Sequence, residues 1–133
     1  MNQRLSLISL VVDDYDRAIQ YYTEIIGFRL VEDTVLSETK RWVVVKPEGE
    51  PGTGLLLAKA SGDEQQSRIG NQTGGRVFLF LHTDDFYRDY NRLKSAGVEF
   101  IRGPVREQYG TVGVFRDLYG NLWDLIEPEG QSE

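Results

Sequence analysis

Cysteine is absent from the 133 residues, and histidine occurs once, at His82. Without a thiol there is no disulfide, no thiolate nucleophile and no thiolate zinc site. Positive charge is also in deficit: 15 Lys and Arg stand against 21 Asp and Glu, a net charge of −6. That balance argues against nucleic acid as a partner, because a phosphate backbone demands a clustered basic stripe, and it slightly favours a neutral or cationic ligand. Long apolar runs are missing too. None approaches the ~20 residues of a membrane span, so no membrane partner is expected. The opening "MNQRLSLISLVV" lacks the apolar stretch and small-residue cleavage site of a signal peptide, which predicts a cytoplasmic location.

What is present reads as one folded domain. Hydrophobic residues make up 40% and charged residues 27%, ordinary values for a globular chain that buries roughly two thirds of its unfolded surface. The runs "LSLISLVVDD" and "VFLFLHTDD" carry apolar residues at both parities, as strands covered on both faces do. Each ends in paired aspartates suited to cap a helix N-terminus.

Apolar residues at helical spacing follow: Tyr15, Ile19, Tyr22, Ile25 and Ile26 in one segment, Phe86, Tyr90 and Leu93 in the other. Each segment stops at a glycine, Gly27 or Gly97, and runs into another strand, "FRLVED" or "VEFIRG". Laying Asp13-Asp14 on Asp84-Asp85 gives an offset of 71, and Gly27 on Gly97 gives 70. The chain is therefore a duplication. Further β-type sequence at 41–47 and 54–60, then 111–117 and 122–128, makes each half βαβββ. This predicts an α+β fold in a single domain over 1–133: module one at about 4–60, a Gly, Gln and Ser-rich linker at 61–75 with a helical turn or two, and module two at about 76–128.

Three segments, "LISLVVDDYDRAIQYYTEIIGF", "VFLFLHTDDFYRDYNRLKSAGVEF" and "FRDLYGNLWDLIEP", resemble the vicinal oxygen chelate (VOC) superfamily in sequence and spacing. That superfamily includes glyoxalase I, bleomycin- and fosfomycin-resistance proteins and extradiol dioxygenases. The resemblance implies the glyoxalase fold: two βαβββ modules whose mixed sheets curve into a cup, with a pocket on the concave face that is completed in a homodimer. It also implies four strand positions where metal-dependent members hold their ion. Residue by residue these are Leu7, Leu56 (with Leu55 or Leu57 as the register alternatives), Phe78 and Asp124. Only Asp124 offers a donor, whereas a divalent metal needs about three or four. No metal and no other cofactor is expected.

His82 lies four residues beyond Phe78, about 13 Å along a strand, too far to replace a family ligand by sliding. It is a strand-end polar residue, a ligand contact beside Phe78 and Phe80, or a general base. Asp124 faces a pocket or an ion-pair partner, since burying it alone is costly. Phe78 and Phe80 are assigned at once to core and pocket floor, so that Phe80→Ala should cost stability as well as binding. Ser9 is counted with Leu7, Leu56, Phe78, Phe80, His82 and Asp124 as a ligand-pocket residue, while Trp42 and Tyr109 flank the pocket mouth or pack against a partner module. "DLYGN" at 117–121 forms the turn before the last strand.

The function expected is a metal-independent small-molecule binder of the bleomycin-resistance type, with a cup suited to an aromatic or cationic compound. The alternative is a glyoxalase- or dioxygenase-related enzyme, a lyase or isomerase with a displaced or absent metal site; no catalytic residue is assigned.

Overall fold

The computed structural model describes residues 1–49 and 52–130. The chain divides into two compact units, Met1–Ile69 and Gly70–Glu133, so the boundary falls inside the segment read as a linker. The first unit contains β1 (Leu7–Val12), α1 (Tyr15–Gln20), β2 (Arg29–Val35), β3 (Arg41–Lys46), β4 (Gly54–Lys59) and the short α2 (Gly62–Gln66). The second contains β5 (Val77–His82), α3 (Phe86–Ser95), β6 (Glu99–Glu107), β7 (Gly110–Arg116) and β8 (Leu122–Pro128). Among the described residues no helix is long and apolar enough to cross a membrane.

Each unit builds one four-stranded mixed sheet, ordered β1-β4-β3-β2 in the first and β5-β8-β7-β6 in the second. The outer pairs β1–β4 and β5–β8 are parallel and the remaining pairs antiparallel. The aspartates behave as read from the sequence. Asp14 accepts from the Arg17 amide at 2.8 Å and Asp85 from the Arg88 amide at 3.2 Å, each capping its helix. Gly27 and Gly97 end the helical segments at φ 97° and 94°, a left-handed backbone that glycine adopts without strain.

The change of offset from 71 to 70 has a structural cause. After α1 the first helix continues as a π turn over Tyr21–Ile25, with the Ile26 amide donating five residues back to the Tyr21 carbonyl at 3.1 Å. A π turn accommodates one extra residue. Its counterpart α3 is regular, so the first unit takes 13 steps from Asp14 to Gly27 where the second takes 12 from Asp85 to Gly97.

In the second unit Phe86 of α3 is fully buried against β7, where a β-carbon on Gly113 would meet its ring at 3.1 Å. Phe115 and Trp123, paired across β7 and β8, stack with centroids 5.6 Å apart beneath the same helix. The opposite face of β7 and β8 therefore carries Val112, Val114, Asp124 and Ile126.

The turn from β7 to β8 is held by one buried carboxylate. Asp117, 5% exposed, accepts from the amides of Tyr119, Gly120 and Asn121 at 3.0, 3.1 and 2.9 Å. It also accepts from Asn121 Nδ2 at 3.1 Å and Trp123 Nε1 at 3.0 Å. Asp117→Ala would strand these donors and should lower stability by more than about 3 kcal/mol. Urea unfolding checks this; a loss below about 1 kcal/mol would show that the turn holds without the carboxylate.

Candidate functional site

The sheet registers assemble a row of four side-chain positions across the second unit. Phe80 of β5 lies beside Asp124 of β8, Asp124 beside Val114 of β7, and Val114 beside Arg102 of β6. With strands about 4.8 Å apart, Asp124 and Arg102 are roughly 10 Å apart at Cα, within reach of the long arginine side chain. All four line a pocket of about 430 Å³, together with Gly75, Arg76, Val77, Ile101 and Leu122. That volume falls in the range of small-molecule sites.

Two bulges shape it. On β6 the register slips between Phe100 and Arg102, which lets the consecutive residues Ile101 and Arg102 both border the pocket. On β5 it slips between Val77 and Leu79, making Phe78 the extra residue. Strict alternation from Phe78 through Phe80 to His82 is thereby broken. Val77 and Phe80, of opposite parity in the sequence, share the pocket, and Phe78 lines a separate cavity of about 310 Å³ with Asn71, Gln72, Arg116 and Asn121.

Phe80 also departs from the sequence reading. It is 63% exposed, a platform on the sheet rather than part of the core. At the far side of the same pocket, on β6, Ile101 is 41% exposed, so the pocket presents apolar surface to solvent. The Asp124 carboxylate has no hydrogen-bond partner among the described residues. Burial pushes its pKa above the usual carboxylate value, and the positive charge of Arg102 pulls the other way.

The first unit has the corresponding row, Ser9, Leu56, Val44 and Glu32. Leu56 thus occupies in its sheet the place of Asp124, and Ser9 that of Phe80. Leu7 pairs with Gly54 as Val77 pairs with Leu122, with Phe78 inserted next to that position. Of the four positions that the sequence resemblance implies for a metal, Leu7, Leu56 and Phe78 are hydrocarbon and Asp124 alone is a donor. Among the described residues no group of three or more His, Cys, Asp or Glu comes together that could hold a metal.

The remaining sequence candidates are dispersed. Trp42, 37% exposed, lies on β3 two residues before Val44 and on the same face. Tyr109, 57% exposed, is at the turn joining β6 and β7 and lines neither cavity. His82 is exposed at the end of β5 beside Ile126, and it too lines neither cavity. The residues missing from the sequence reading are Arg76, Val77, Ile101, Arg102 and Val114. The offset of 70 does place Arg102 on Glu32, so the repeat contained a signal for it.

Two outcomes follow from this geometry. Phe80→Ala should leave the unfolding midpoint in urea nearly unchanged, because so much of the ring is in water; a loss of several kcal/mol would restore Phe80 to the core. For Asp124, a native pKa above the unfolded value of 3.8 means that the native chain binds the proton more tightly. The carboxyl therefore favours folding at acid pH, and that contribution is lost as pH rises from the unfolded value through the raised native one. Asp124→Asn should be more stable than the natural chain at pH 7, with the difference narrowing towards pH 3.5. Equal stability at both values, by urea unfolding, would contradict this.

The fold and sequence place the chain among known proteins. It is 59% identical over 128 residues to an uncharacterized protein of Shewanella frigidimarina (strain NCIMB 400), covering 96% of this chain and 95% of that one. The crystal structure of UcmS2 is 34% identical and superposes with a TM-score of 0.82 over 96% of this chain and 99% of UcmS2. TnmS3, an antibiotic binding protein from Streptomyces sp. CB03234, is 30% identical with a TM-score of 0.76, over 96% and 98% of the two chains. The glyoxalase-like fold expected from the sequence is thus the fold of this chain. The family model of the Glyoxalase/Bleomycin resistance protein/Dioxygenase superfamily matches residues 4–125, and the chain belongs to that superfamily.

Proposed function

We propose that the protein binds a small organic molecule on the open face of the second unit's sheet, without a metal ion and without chemical conversion. The observation that carries this reading is the composition of the row Phe80, Asp124, Val114 and Arg102: an exposed aromatic platform beside one carboxylate and one guanidinium. Burial of the ligand's apolar surface on Phe80 and Ile101 supplies most of the affinity, and the charged groups orient it. The hydrocarbon side chains at Leu7, Leu56 and Phe78 support metal independence, because the single donor Asp124 does not fit a divalent ion. The 30% identity to an antibiotic binding protein supports binding over turnover.

The same reading takes the working form to be a homodimer in the cytoplasm. Val35 and Leu36, 72% and 53% exposed at the end of the edge strand β2, offer apolar surface of the kind that pairing covers.

Protein purified without chelator should contain no stoichiometric metal by elemental analysis, and ligands found in a thermal-shift screen of aromatic compounds should bind equally with and without EDTA. Stoichiometric zinc, nickel, iron or manganese, or binding abolished by EDTA, would overturn the metal-free reading. Light scattering at micromolar concentration should give about twice the chain mass of 15.2 kDa, and a monomer there would refute the dimer.

A further inference from the structure

The second unit's pocket runs against the sign of the chain. The protein carries a net charge of −6, yet the ionisable groups lining this pocket are Arg76, Arg102 and Asp124, an excess of one positive charge even with the carboxyl ionised. Several other arginines are neutralised by neighbours. Arg41 pairs with Asp16 and Asp33, Arg88 with Asp84 and Asp89, Arg106 with Glu129, and Arg116 with Glu99. Arg76 and Arg102 make no ion pair and no side-chain hydrogen bond among the described residues; Arg102 interacts with Asp124 only through the longer-range attraction between their charges.

The duplication sharpens the point. Position by position the first unit has Glu32 where the second has Arg102, and Leu56 where it has Asp124. The cationic character is therefore a property of one sheet and not of the repeated fold. Arg76 also borders the adjoining cavity of about 310 Å³, which shares Gly75 and Leu122 with the pocket. A guanidinium offers a planar fork of donors matched to a carboxylate, and one left without a protein partner keeps that fork free for a ligand.

We propose that this pocket selects aromatic acids, a planar ring lying on Phe80 and its carboxylate held by Arg76 and Arg102. This inference rests on the pocket being the ligand site, as proposed above, and it reverses the cationic preference that net charge alone suggests.

Isothermal titration of the full chain with three probes of one shape tests it: 2-naphthoate, the neutral 2-naphthamide and the cationic 2-naphthylmethylammonium. Naphthoate should bind about tenfold or more tightly than the amide, with the cation weakest, and raising the salt should narrow the gap. Arg76→Gln and Arg102→Gln should each weaken naphthoate several-fold and leave the amide unchanged, while Phe80→Ala should weaken both. Equal affinity for naphthoate and amide, or tighter binding of the cation, would overturn the anion inference. If Phe80→Ala still abolished binding in that case, the ligand site itself would stand. No heat from any probe up to millimolar concentration would overturn both.

Discussion

The Asp117 carboxylate fixes how β7 hands over to β8, and the site depends on that handover. By gathering three turn amides, the Asn121 side chain and the Trp123 indole, it sets the first residues of β8 in one register. A slip of one residue would turn Trp123 out of its stack with Phe115 and bring Asp124 under the helix, where a carboxylate has no solvent and no partner. The energetic penalty on both counts points the same way. The register that buries the indole is the register that presents Asp124 to the pocket beside Phe80.

This coupling explains how a carboxylate can be kept half-buried with no hydrogen-bond partner among the described residues. Position 124 is determined from below, by the packing of Trp123 and Leu125 under α3, so its own side chain contributes little to deciding where the strand goes. The cost of desolvating it is carried by the surrounding core. Sites for ligands are commonly built in this manner, with locally unfavourable groups held on a scaffold whose stability comes from elsewhere.

Much of the architecture was legible because its signals are local. Paired aspartates mark the helix starts, Gly27 and Gly97 their ends, and the apolar runs the strands between. Even the one-residue change of offset was visible, although only hydrogen bonding reveals that a π turn at Tyr21–Ile25 absorbs it. The candidate site was less legible. Alternation assigned Phe78, Phe80 and His82 to one face, but a bulge is a property of two strands together and leaves no mark in the periodicity of one. The exposure of Phe80 was hidden for a similar reason, since "VFLFL" reads equally well with both faces covered.

Net charge averages what the fold separates. The acidic excess includes residues engaged in capping and pairing: Asp14 and Asp85 at helix starts, Asp16 and Asp33 on Arg41, Asp84 and Asp89 on Arg88, Glu129 on Arg106. Charges neutralised at short range contribute little to the field a ligand meets at the pocket, especially beyond a Debye length of about 8 Å at physiological salt. What remains near Phe80 is set by Arg76, Arg102 and Asp124. The sign of a pocket's lining is thus decided by which charges the fold leaves unpaired at that place, and the duplicated sheets differ there, Glu32 of one standing at the position of Arg102 in the other.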